Sequence, residues 1–117
     1  MPADMYPHSN AQMESRRKAL APEPLRAFHD FSRQVFAEGA LSATTKQLIA
    51  VAVAHTTQCP YCIRGHTRAA LKAGATPEQI MEAIWVAAEM RAGAAYAHSA
   101  IALDVLQDFE AAGSAPA

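Results

Sequence analysis

From Ile63 to its C-terminus this 117-residue chain contains no stretch in which apolar and polar residues alternate with period two. That absence constrains the fold more than any motif the chain carries. Just upstream stands Cys59-Pro60-Tyr61-Cys62, a tetrapeptide also found in glutaredoxins. A thioredoxin-like fold needs a strand before such a pair, further strands after it and a proline in a sheet-edge loop facing the sulfurs. After Cys62 the chain offers only helical signals, and Pro77, its one later internal proline, stands where a helix opens. The expectation is an all-α fold: a single-domain helical bundle with the C-x-x-C at the N-terminus of a helix.

Local signals divide the chain. Residues 1–21 mix Pro, Ser, Asn and Gln with the cluster Arg16-Arg17-Lys18 and read as an arm with a helical stretch from Gln12 to Leu20. From Pro24, Leu25, Phe28, Phe31, Val35 and Phe36 fall near helical spacing, and Gly39 supplies a stop. Thr44-Thr45-Lys46-Gln47 matches a capping box, with Thr44 as N-cap and Gln47 reaching back. The apolar run Leu48–Ala54 is compatible with a buried helix or strand, and the capping box favours helix. Pro60 suits the first position of the next helix, which makes Cys59 its N-cap and Cys62 its third residue and carries it to a stop at Gly74. Thr76-Pro77-Glu78-Gln79 combines N-cap, N1 proline and N3 glutamine, a break is expected at Arg91-Ala92-Gly93, and a last helix spans Tyr96 to Phe109. The domain is thus expected over 22–110, with a flexible tail at 111–117.

Composition narrows the function classes. A net charge of −1 and no basic run longer than Arg16-Arg17-Lys18 argue against a nucleic-acid partner. No apolar run reaches eighteen residues and no secretory signal opens the chain, so a soluble cytoplasmic protein without a membrane partner is expected. With two cysteines three apart, redox or metal chemistry is the reading in a reducing compartment. The hydrophobic 51% is rich in alanine. Alanine helices bury little area each, so an oligomer is expected to add burial.

A cysteine with a pKa of about 8.5 is only a few per cent ionised at neutrality, so a reactive thiol must be activated here. The first turn of the Pro60 helix presents free N–H groups and the positive end of its dipole to both sulfurs. His66, four residues after Cys62, lies on the same helical face within reach of its proton. Arg64 and Arg68 add positive potential on that helix. Dipole reasoning makes Cys59 the more acidic thiol, whereas spacing to His66 favours Cys62.

The segment from Leu48 to Thr76, with C-x-x-C-x-x-x-H and a closing Ala-Gly-Ala-Thr, resembles the AhpD-like alkylhydroperoxidases of the carboxymuconolactone decarboxylase superfamily. The likeness extends from about Phe28 to Leu106. It implies trimers or hexamers and peroxidase activity through a reversible disulfide, with no cofactor. It implies that Cys62 attacks a hydroperoxide, that Cys59 resolves the product and that His66 is the associated histidine. Regeneration then calls for an external dithiol reductant, thioredoxin-like or a lipoyl protein, because the chain has no other cysteine and no sign of a flavin or nicotinamide site. The family's relay glutamate falls at Gln47, whose amide cannot accept a proton. His55, one turn before Cys59, is the candidate substitute, while Gln47 also has its capping reading. Two alternatives stay open. One is a zinc site from Cys59, Cys62, His66 and His55 or His98, making the chain a non-enzymatic redox- or metal-responsive binding protein. The other is a lactone decarboxylase, whose chemistry has no need of paired cysteines.

Overall fold

The structure, a computed structural model, describes residues 5–113. The first four residues of the expected arm and the last four of the expected tail lie outside the described residues. Five helices follow one another: α1 (Ala11–Leu20), α2 (Pro22–Phe36), α3 (Ala43–Thr57), α4 (Pro60–Lys72) and α5 (Pro77–Gly113). Among the described residues there is no strand, so the all-α expectation holds and the run Leu48–Ala54 is helical. No helix among them is long and apolar enough to cross a membrane.

Each start is set locally. Asn10 caps α1 by accepting from Met13 N at 2.8 Å, and prolines open α2, α4 and α5. The capping box expected at Thr76 is formed reciprocally: Gln79 N donates to Thr76 Oγ1 at 3.1 Å, and Thr76 N donates to Gln79 Oε1 at 2.9 Å. At the end of α4, Gly74 adopts φ 99° while its N–H bonds Leu71 O and that of Ala75 bonds Ala70 O. This is a Schellman ending, and the left-handed residue it requires is the expected glycine.

Two expectations are corrected. Helix α3 begins at Ala43 rather than after Thr44, because Ser42 takes the cap by accepting from Thr45 N at 3.1 Å. Thr44 instead donates to Ala73 O at 2.7 Å and ties the start of α3 to the end of α4. The capping box read at 44–47 is therefore absent, and Gln47 stands two residues too deep to reach back. The break at 91–93 is also absent, and α5 runs through it, three residues into the segment read as a tail. Gly93 costs about 1 kcal/mol relative to alanine within a helix, which alanines on both sides and the absence of proline leave insufficient to end it.

Helix α3 lies between α4 and α5 and packs on both. The core gathers Val51 from α3, Ala70 and Ala75 at the end of α4 and Ile80 from α5, with Leu48 and Ile84 beside them. Alanines there let the backbones approach closely, which explains how so few large side chains close the core. The α1–α2 pair touches the rest lightly, mainly through α3. Its attachment depends on Lys46, whose Nζ donates to Val35 O at 2.8 Å and Ala37 O at 2.5 Å, the free carbonyls at the end of α2. A cation is favoured there by the helix dipole as well.

The chain is extended. Its radius of gyration is 21.4 Å, against about 13 Å for a compact chain of this length. The outer half of α5 carries Tyr96, Ile101, Val105 and Phe109 exposed, Phe109 at 72%.

Replacing Lys46 by Met keeps the aliphatic stem and removes both bonds to α2. The expected loss is about 1.5 kcal/mol, read as a lower urea midpoint with unchanged slope. An unaltered midpoint contradicts this account of how α2 is held.

Candidate active site

A two-residue connection, Gln58-Cys59, joins α3 to α4. Gln58 sits in the left-handed region at φ 56°, and the chain then turns so that Cys59 becomes the N-cap of α4. Its Sγ accepts the N–H of Cys62 at 3.2 Å. A sulfur thus takes the place of the oxygen that usually satisfies this orphan donor. Both thiols are free and half-buried, neither sealed in packing nor fully exposed.

The pair titrates as one unit. The thiol of Cys62 donating to Cys59, helped by the Cys62 backbone N–H, holds the Cys59 pKa below the ordinary cysteine value. The same hydrogen bond, then burial, then the charge on Cys59, pushes the Cys62 pKa up. This agrees in direction with the dipole argument: of the two thiols, Cys59 is the one whose thiolate form is favoured.

Cys62 and His66, one turn apart, face a cavity of about 390 Å³. Val35, Phe36, Ile49, Ala50 and Val53 supply most of its apolar wall, and Lys46 and Thr57 stand at it too. His66 Nδ1 lies 2.8 Å from Gln47 Oε1. With an amide oxygen facing it, Nδ1 is placed to donate to Gln47, in the tautomer that leaves Nε2 a lone pair. Phe36 stacks on the imidazole with centroids 5.1 Å apart and planes at 26°.

The structure therefore brings together four of the five residues expected from sequence: Cys59, Cys62, His66 and Gln47. His55 is not in this group. Its Nδ1 lies 2.7 Å from Val51 O of its own helix, and it does not line the cavity. Among the described residues no cluster of three His, Cys, Asp or Glu side chains could hold a metal ion. Sequence reasoning missed Phe36 and Lys46 as site residues. Phe36 was visible only as one more apolar position of α2, and nothing local in the sequence ties it to a histidine 30 residues on.

The profile of the carboxymuconolactone decarboxylase family matches residues 22–105. The chain is 67% identical over 86 residues to uncharacterized protein 4 in the cox locus of Paracoccus denitrificans, covering 74% of this chain and 78% of that one. A solved structure from Methanobacterium thermoautotrophicum is 38% identical with a TM-score of 0.66, covering 70% of this chain and 94% of the other. A carboxymuconolactone decarboxylase family protein from Legionella pneumophila is 32% identical, also with a TM-score of 0.66, covering 84% and 88%.

The dyad geometry has a pH signature. Cys59 is expected to alkylate with iodoacetamide along a rate profile whose inflection lies below that of an ordinary thiol, because its thiolate persists to lower pH. In Cys62→Ala the S–H donor is gone and the inflection should move up. Mass spectrometry of the modified peptide across pH reads both, and an inflection that stays in place contradicts the assigned hydrogen bond.

Proposed function

The chain belongs to the carboxymuconolactone decarboxylase family, and on that footing we propose that it is an AhpD-like thiol peroxidase reducing hydroperoxides through a reversible Cys59–Cys62 disulfide. One observation carries this reading: Cys62, and not Cys59, lines the apolar cavity together with His66. A peroxide entering the cavity meets one sulfur and one imidazole, with the second sulfur waiting behind at the helix mouth.

The division of labour follows from the dyad. Cys62, whose pKa is raised, needs a base, and the bare Nε2 of His66 takes its proton as Sγ attacks the peroxide oxygen. The S–O bond forms, the O–O bond breaks, and the leaving alkoxide takes the proton back from the imidazolium. Cys62 is then a sulfenic acid. Cys59, whose pKa is lowered, gives up its proton and attacks that sulfur, expelling hydroxide, which that proton converts to water. The depressed pKa of Cys59 suits the resolving role. Two thiols and one hydroperoxide give a disulfide, an alcohol and water.

Gln47 orients the imidazole but cannot share its charge. A carboxylate there would stabilise the imidazolium and strengthen the base. The site contains no third sulfur, so return to the dithiol needs an external dithiol. The lactone decarboxylase alternative leaves the cysteine pair without a task. The metal-binding alternative has no third ligand gathered beside the thiols among the described residues.

The apolar outer half of α5 supports a homo-oligomer, trimer or hexamer. No packing within the chain covers those side chains, and its extension beyond compact dimensions is what a subunit of a larger bundle shows. Light scattering should return three or six times 12.5 kDa, and a monomer at micromolar concentration contradicts this.

The peroxidase reading is tested by thiol titration. One equivalent of an organic hydroperoxide should remove both thiols per chain, and a dithiol should restore them. Gln47→Glu should consume peroxide roughly tenfold faster, the effect of about 1.4 kcal/mol on the barrier. Thiols that survive peroxide, with zinc bound to the purified protein in equal amount, would overturn the reading.

A further inference from the structure

The peroxide cavity is one end of an open apolar groove between α2 and α3. Val35, Ile49 and Val53 line it, yet each is about half exposed. The α2 wall runs on through Phe28 and Phe31, which share the Val35 face of that helix and are exposed, Phe31 at 64%. No helix among the described residues covers these side chains.

A second uncovered surface lies on the same chain. Arg91 Nη1 donates to Thr56 O at 2.9 Å, where α5 passes the end of α3. Beyond that point α5 continues from Ala92 to Gly113, about 33 Å of helix, and every described residue from Ala94 onward is exposed. Ile101, Val105 and Phe109, spaced by four, form one apolar line, with Ala102 and Leu106 beside it. Asp104 and Asp108 flank the line on its other side. This half of α5 leads away from its own groove: Val105 stands about 21 Å past Arg91 along the axis.

Area, shape and charge make a second copy of the chain the occupant of the groove. The chain exposes 9297 Å², whereas a compact protein of 12.5 kDa exposes about 6,200 Å². The excess, about 3,100 Å², is several times the area that one partner gives up in a contact between separately stable proteins, and is the scale of an obligate assembly. An apolar line with a second row beside it suits a groove between two helices better than a flat face. From Gly39 to Pro77 the chain has no acidic residue and carries Lys46, Arg64, Arg68 and Lys72. After Arg91 it has no Lys or Arg and carries Asp104, Asp108 and Glu110. Opposite signs favour helix in groove over helix against helix.

We propose that the outer half of α5 from a second copy lies in the α2–α3 groove and roofs the peroxide cavity, so that each site is built from two chains. One chain supplies Cys59, Cys62 and His66. The other supplies Ile101, Val105 and Phe109 as an apolar roof. Copies that exchange these helices reciprocally, in a pair or around a closed ring, leave no groove open. The roof keeps water from Cys62 and gives the thiol and imidazole a dry setting for the proton transfer. This rests on the peroxidase reading only for what the cavity is used for; the docking itself does not need it.

Cross-linking tests the docking. In the Cys59→Ser/Cys62→Ser chain, Val53→Cys and Val105→Cys lie too far apart to bond within one copy. Diamide should therefore join copies covalently, read on a non-reducing gel. Pairing Val53→Cys with Gln107→Cys moves the second thiol round α5 to its polar side and should join copies roughly tenfold more slowly. A second measurement keeps both native cysteines. Val105→Asp puts a carboxylate into the roof from a side chain that is exposed in its own chain, so the helix content by circular dichroism should be that of the parent. Alkylation of Cys62 by N-ethylmaleimide, followed by mass spectrometry, should be severalfold faster in Val105→Asp, and faster in the parent once dilution separates the copies. Absence of joined copies, bonding of Val105→Cys to itself in place of Val53→Cys, or a Cys62 rate that ignores both dilution and Val105→Asp overturns the proposal. Thiols that survive peroxide in an assembly that cross-links as described would count against the peroxidase reading alone.

Discussion

A single hydrogen bond organises the site, the one from the Cys62 backbone N–H to Cys59 Sγ at 3.2 Å. It exists because the chain reverses direction in two residues, with Gln58 in a left-handed conformation that costs a non-glycine residue about 1 kcal/mol, and because Pro60 starts the helix at once. The turn puts one sulfur at the cap and the other in the first turn, where a thiolate is stabilised without any metal or neighbouring cation. The thiol–thiol hydrogen bond from Cys62 to Cys59, which that turn makes possible, divides the two electrically. Cys59 is drawn down and Cys62 pushed up, so the thiolate form is favoured on the member outside the cavity.

Everything else about the site supports that division. The cavity is apolar, which disfavours a resting thiolate on Cys62 and makes the adjacent imidazole necessary. Gln47 and Phe36 hold that imidazole from two sides, one by hydrogen bond and one by stacking. Lys46 fastens the end of α2, where Phe36 stands, to α3. The residue beside Gln47 in sequence thus positions the ring from the opposite direction, and a short stretch of α3 serves both.

What could be read from the sequence was what is decided locally. The Thr76 capping box, the proline and cysteine that open α4, and the Gly74 ending are each fixed by residues within a turn of one another, and the structure contains them as read. That Cys62 and His66 share a face of α4, and so one cavity, was legible for the same reason, the two being one helical turn apart. The 44–47 capping box failed because Ser42, two residues earlier, competes for the same role and lengthens the helix. The supposed break at Gly93 failed because a lone glycine is too weak to end a helix that continues to bond on both sides. The contacts of Gln47 and Phe36 with His66 cross 19 and 30 residues of sequence, respectively. No local pattern encodes such contacts; they follow from how α2 and α3 pack.

The central claim is that the sulfur within the cavity, despite its higher pKa, is the one that meets peroxide. The most direct measurement is the second-order rate of oxidation of each sulfur alone, in Cys59→Ser and Cys62→Ser, by cumene hydroperoxide, with the oxidised residue identified by mass spectrometry. The account predicts fast sulfenic acid formation on Cys62 when Cys59 is replaced, and a rate near that of a free thiol on Cys59 when Cys62 is replaced. The reverse order, with Cys59 reacting faster, would contradict it.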